Sequence, residues 1–187
     1  QEIYAEIARK GWLEKDISVG NILIDMYAKG NFIAKAREVL EELPHPDLVS
    51  WNALMAGYAE HGYVAKAKEV FDMLKVRDVI TWNTLIVSYA EYGQAENALH
   101  YFDKMHVEGV LPDVVTFATS LKACSFIGDL NKGYEIHNQL IKTSLLKDLS
   151  VCNALIDMYA KCDSLMKAQE VFNNLPSRNV VSWNTII

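Results

Sequence analysis

Residues Asp47–Arg77 read DLVSWNALMAGYAEHGYVAKAKEVFDMLKVR, and most of the chain is a copy of this stretch. Trp51-Asn52 recurs as Trp82-Asn83, Phe117-Ala118, Cys152-Asn153 and Trp183-Asn184, at steps of 31, 35, 35 and 31 residues. One step of 31 back from Asn52 falls on Asn21. A short polar residue leads each copy at the same phase: Asp16, Asp47, Asp78, Asp113, Asp148 and Asn179. Self-similarity at a period of about 20–50 residues marks a row of like units, none of which buries its core alone.

Inside the stretch, Trp51, Leu54, Met55 and Tyr58 stand at i, i+3, i+4 and i+7, which predicts a first helix. Ser50 precedes it as the expected N-cap, with Thr81, Thr116 and Ser182 in the same role in the copies. The stripe ends at Gly62, and the same phase holds Asn31, Gly93, Gly128 and Asp163. These residue types enter left-handed backbone most cheaply, so a turn is expected at each. A second helix follows with Val70, Phe71 and Leu74 on its apolar side. It carries a small residue at one phase (Ala36, Ala67, Ala98, Gly133, Ala168), against which the bulk of the hairpin's first helix is expected to pack. Each unit is thus an αα-hairpin, and the expected fold is an all-α, right-handed superhelical solenoid with first helices lining the concave side.

The expected division is one array over residues 1–187. Residues 1–15 supply a lone second helix. Full units follow at 16–46, 47–77, 78–112, 113–147 and 148–178, and 179–187 begin another. The chain therefore reads as a piece of a longer repeat tract. Half of it is hydrophobic (51%), ample for a core distributed along the row. The net charge of −6 argues against a generic basic nucleic-acid binder. Cys124, Cys152 and Cys162 form no CxxC pair, which favours a reducing compartment. No run of 18 apolar residues occurs. His106-Val107-Glu108 is half of a zinc-deaminase signature whose P-C-x-x-C half is missing. No metal spacing, phosphate loop or nucleophile elbow is present, so neither a cofactor nor catalysis is expected.

Unit length, the VSWNALMAGYAEHG first helix and the 31/35/35/31 alternation together resemble the pentatricopeptide repeat family. The mixed lengths resemble its P, L and S subclass, typical of plant organelle RNA-editing factors. On that resemblance 16–46, 47–77 and 148–178 are S-type, 78–112 P-type and 113–147 L-type, with 1–15 the end of a preceding L-type unit. The family binds single-stranded RNA at one base per unit, which implies a specificity tract for RNA editing or processing in a mitochondrion or chloroplast.

The resemblance assigns base reading to the fifth residue of a unit together with its last. Here the pairs are Asn21 with Asp47, Asn52 with Asp78, Asn83 with Asp113, and Asn153 with Asn179; Ala118 with Asp148 lacks the amide. Asn with Asp implies uridine over cytidine, and Asn with Asn the reverse. Asn suits the task because one planar amide both donates and accepts. The family's base clamp falls on Val49, Ile80, Val115 and Val181, with Ser18 and Ser150 in the other units. Its phosphate lysine falls on Lys29 and Lys161, while Glu60, Glu91 and Phe126 hold that place elsewhere. Trp51, Trp82 and Trp183 share the apolar stripe with Gly20, Phe117 and Cys152, and are read as packing rather than base-stacking residues. A competing class is a helical scaffold for a protein partner: Ala118, Ser120 and the acidic pI favour it, and L-type units imply multiple organellar editing factor proteins as partners. Bare helices at both ends also imply end-to-end self-association.

Overall fold

A computed structural model describes Leu13 and residues 16–186. The expected helix over 1–15 lies outside the described residues except for Leu13. Eleven α-helices and no strand occur among the described residues. They are α1 (Ile17–Lys29), α2 (Ile33–Glu42), α3 (Leu48–Glu60), α4 (Val64–Met73), α5 (Val79–Glu91), α6 (Ala95–Val107), α7 (Val114–Ile127), α8 (Leu130–Leu140), α9 (Leu149–Lys161), α10 (Leu165–Asn173) and α11 (Val180–Ile186), with a 3₁₀ turn at Ser144–Lys147. The chain divides into two compact bodies, Gln1–Ser88 and Tyr89–Ile187.

In the first body α1 packs on α2 and α3, and α3 packs on α4 and also meets α2. In the second, α7 is the hub for α6, α8 and α9, while α9 meets α8, α10 and α11. First helices are buried on more than one side, second helices on one. Thus α3 buries Ser50, Asn52, Leu54, Met55, Gly57, Tyr58 and Ala59, whereas α4 buries only Val64, Ala67, Val70 and Phe71. This is the difference expected between an inner helix and an amphipathic cover.

Every expected turn residue has left-handed backbone: Asn31 (φ 60°), Gly62 (77°), Gly93 (74°), Gly128 (72°) and Asp163 (58°). The small residues of the second helices are all buried. At Gly133, however, the crowding neighbour is not its own hairpin's first helix. A Cβ there would meet Met158 of α9, the first helix of the next hairpin. Gly57 lets α3 come close to α1: a Cβ there would collide with the Ala28 side chain and come within 3.1 Å of its Cα.

Two of the three tryptophans, Trp82 and Trp183, pack as read. Trp82 is fully buried, edge-on to Phe71 at 4.8 Å, and Trp183 meets Phe172 in the same way at 4.9 Å, though half of it stays exposed. The Arg77 guanidinium lies 4.5 Å over the Phe71 ring while its Nε donates to the Phe71 carbonyl at 2.9 Å. Arg178 does the same to Phe172, at 5.0 and 3.3 Å. Each arginine thus ties off a second helix and covers the ring that anchors it.

His137 of α8 sits half-buried with Nδ1 2.7 Å from the Tyr159 hydroxyl. Burial, then the nearby Lys167 ammonium, hold its pKa below the ordinary value. The folded state therefore favours the neutral ring, so unfolding takes up a proton. Stability is expected to be full above about pH 6.5 and to decline as pH falls from there towards the lowered folded pKa. Thermal unfolding of wild type and His137→Gln between about pH 5 and 8 checks this: the gap between them should change only on the acid side.

Candidate functional site

The boundary residues Asp47, Asp113, Asp148 and Asp16 are the N-caps of their helices, each accepting a backbone N–H of the first turn. Asp78 and Asn179 make the same bond, to Thr81 and Ser182. The expectation of Ser50, Thr81, Thr116 and Ser182 as caps is therefore corrected by three residues. They occupy the third helical position and return a hydroxyl to the cap's own N–H, completing a reciprocal box. Capping alone accounts for the recurrence of a short polar residue at this phase.

In the first body the caps do more. The Asn21 Nδ2 donates to Asp47 Oδ1 at 3.4 Å, and Asn52 Nδ2 donates to Asp78 Oδ1 at 3.2 Å. The Ser50 hydroxyl reaches Asn21 Oδ1 at 2.5 Å, and the Thr81 hydroxyl reaches Asn52 Oδ1 at 2.9 Å. Amide, carboxylate and hydroxyl so form a three-membered cluster at both boundaries. Burial pushes the Asp47 and Asp78 carboxyls up. The backbone N–H and hydroxyl of Ser50 or Thr81, with the Asn amide, outweigh it and hold both below the ordinary value. Both carboxylates are charged at neutral pH. The hydrogen bonds from the Asn amide and from the N–H and hydroxyl of Ser50 or Thr81 all fall on Oδ1.

The clamp residues stand in the open: Val49 and Ile80 are 58% and 59% exposed, Val115 48% and Val181 55%. Asn83 lies in the first body and Asp113 in the second. Asp113 has the box with Thr116, and Asp148 accepts from the backbone of Ser150 and Val151. In the second body Asn153 and Asn179 line one open cavity of about 660 Å³, together with Val181, Phe126, Lys122 and Lys161. The Asn153 Oδ1 is buried there without a hydrogen bond, while Asn179 Oδ1 is occupied by the Ser182 N–H and hydroxyl.

Lys29 and Lys161 are surface residues, but each ammonium is held by an aspartate one turn earlier, Asp25 at 2.8 Å and Asp157 at 2.9 Å. Exposed pairs of this kind are weak. Ser120, read as favouring a protein partner, is fully buried. Sequence reasoning missed Ser50 and Thr81 as partners of the amides. The signal is a hydroxyl three residues after each leading polar residue, which by local pattern reads equally well as a cap.

Hairpins joined through shared cap clusters define a helical-repeat protein. A model of the PPR repeat matches residues 21–45, 49–79 and 150–180, and one of the PPR repeat family matches 77–125. The chain belongs to the pentatricopeptide repeat family. It is 46% identical over 185 residues to pentatricopeptide repeat-containing protein At2g13600 of Arabidopsis thaliana, covering 99% of this chain and 26% of that one. At2g22410, mitochondrial, of the same plant is 33% identical over 94% of this chain and 21% of its own length. At1g15510, chloroplastic, is 45% identical over 43% of this chain and 9% of its own. The chain thus spans about a quarter or less of these relatives. Among solved structures, PPR10 in complex with an 18-nt psaJ RNA element superposes with a TM-score of 0.70, at 21% identity over 98% of this chain and 28% of that one.

Proposed function

We propose that the chain is a sequence-selective single-stranded RNA-binding tract, reading one base per hairpin with a leaning to pyrimidines, within an organellar RNA-editing or RNA-processing factor. The observation that carries this reading is the pair of amide–carboxylate clusters in the first body, Asn21 with Asp47 and Asn52 with Asp78. Each offers one donor and one acceptor side by side, the complement of a base's Watson–Crick edge. Val49 and Ile80, the second residues of α3 and α5, supply exposed apolar faces to lie against a base ring. Asn153 with Asn179 takes the same role, with Val115 and Val181 as clamps. Lys29 and Lys161 exchange their aspartates for phosphate. The RNA held by PPR10 supports the ligand class, and the organelle words in the names of two relatives support the location. The repeat boundaries and the P, L and S assignment given above belong to the same reading.

Asn52→Thr tests it. The single hydroxyl lacks the amide's paired donor and acceptor, and base preference is expected to move towards purine at one RNA position only. Titrating the chain against pyrimidine RNAs with a purine stepped through each position, at two salt concentrations, reads the shift. An unchanged profile excludes base reading by Asn52.

A further inference from the structure

In α1 and α9 the helix balances its own charge: an aspartate pairs with the lysine one turn on, Asp25 with Lys29 and Asp157 with Lys161. In α7 the same two places hold Lys122 and Phe126. Three and four residues from Lys122 in either direction stand Ala118, Thr119, Ser125 and Phe126, so helical spacing gives it no acid. Packing gives it none either. Asp157, which lines the same cavity, is taken by the Lys161 ammonium at 2.9 Å and by the Ser125 hydroxyl at 2.8 Å. Lys122 is exposed and makes no ion pair among the described residues. Phe126, its neighbour one turn on, is 72% exposed. We propose that Lys122 and Phe126 form a grip on one nucleotide of single-stranded RNA, taking a phosphate on the ammonium and a base face on the ring whichever base it is. The proposal rests on the RNA-binding role given above, and it falls on the helix where Ala118 stands in place of the reading asparagine.

The exposed residues Val115, Lys122 and Phe126 lie along one stripe of α7, with Ala118 and Thr119 half-buried between them. Ammonium and ring therefore share the accessible side of the helix with the expected clamp. Both line the open cavity of about 660 Å³ whose other walls come from α9 and α11. Two lysines against one aspartate give that cavity a surplus of positive charge, on a chain whose net charge is −6. A wall of this sign complements a polyanionic strand rather than a neutral apolar segment. Every base has a π-face, so an aromatic ring holds a nucleotide without selecting it, and a cation beside the ring neutralises the backbone. The Ala118 methyl group neither donates nor accepts, so a base over this helix is held but not told apart. The second body thus keeps hold of the strand across a position it does not read.

The test steps a residue without a base through each position of a pyrimidine RNA and titrates the wild-type chain, Phe126→Ala, Phe126→Tyr and Lys122→Gln. Both residues are exposed, so the thermal melts followed by circular dichroism should coincide. At one position the missing base is expected to weaken wild-type binding about fivefold or more, while exchanging that base for any other changes it little. Phe126→Ala should bind the intact RNA more weakly by the same factor and show no further loss when that base is missing; Phe126→Tyr should behave as wild type. Lys122→Gln should weaken binding to every RNA alike and lower the slope of log affinity against log salt by about 0.7, the share of one phosphate on a single strand. A loss in only one of Phe126→Ala and Lys122→Gln overturns the assignment of the other residue. Unchanged affinity and slope in both, with wild type binding, overturn the grip, leave the RNA-binding role standing and turn this face over to a protein partner. A wild-type chain that does not bind RNA overturns both.

Discussion

Trp82→Ala is expected to lower the free energy of unfolding by about 3–5 kcal/mol. The indole is fully buried, edge-on to Phe71, and Phe71 is covered in turn by the Arg77 guanidinium. Removing it takes away one layer of a three-layer contact that joins the end of α4 to the start of α5 and leaves a cavity beside Phe71. Trp183 is the internal control. It makes the same ring contact with Phe172 but is 52% exposed, so Trp183→Ala should cost well under half as much. Urea denaturation followed by helical circular dichroism measures both. Equal losses would mean that the indole contributes through the ring contact alone and not through burial.

The double variant Asn21→Ala with Asn52→Ala is expected to weaken binding to a matched pyrimidine RNA by about 10–100-fold, each single change accounting for about 3–10-fold. The two amides sit at separate boundaries and share no partner, so their effects should add. Binding to an RNA with purines at both positions should change little, because there the amides make no productive pair. The helices should survive, since Asp47 and Asp78 still cap α3 and α5 through the backbone N–H of Ser50 and Thr81. Anisotropy titrations at one fixed salt concentration check this, because phosphate contacts make affinity salt-dependent and would otherwise mask the base term. An affinity unchanged in the double variant rules out these amides as readers.

Much of the fold was legible because it is written in local terms. The left-handed turns at Asn31, Gly62, Gly93, Gly128 and Asp163 follow from backbone sterics at single residues, and all five were found where the repeat phase put them. The stripe Leu54, Met55 and Tyr58 likewise fixed the buried side of α3 through helical spacing alone. Capping was misread by three residues. Ser50 and Asp47 are both good cap residues, and which one stands outside the helix depends on where the chain leaves the preceding hairpin. The roles of Arg77 and Arg178 are not legible locally, although Phe, then Arg six residues on, then Trp five further, occurs twice. The spacing carries no meaning until the helix end brings guanidinium and ring face to face. Lys29 and Lys161 showed the converse: Asp25 and Asp157 lie four residues away in plain sight, and helical periodicity alone pairs them.

By itself, then, the sequence determined the helices, their turns, the repeat phase and the family, because each depends on contacts within one hairpin or on the spacing of copies. Only the tertiary structure decided what the boundary polar residues do. Asn21 and Asp47 are 26 positions apart, as are Asn52 and Asp78, and no local rule states that they touch. Packing one first helix beside the next closes that gap, and it does so differently in the two bodies: it seats a hydroxyl on the amides of Asn21 and Asn52 and leaves the oxygen of Asn153 without a hydrogen bond. Sequence spacing fixes which groups recur, whereas the direction in which a planar amide points is settled by the atoms packed against it.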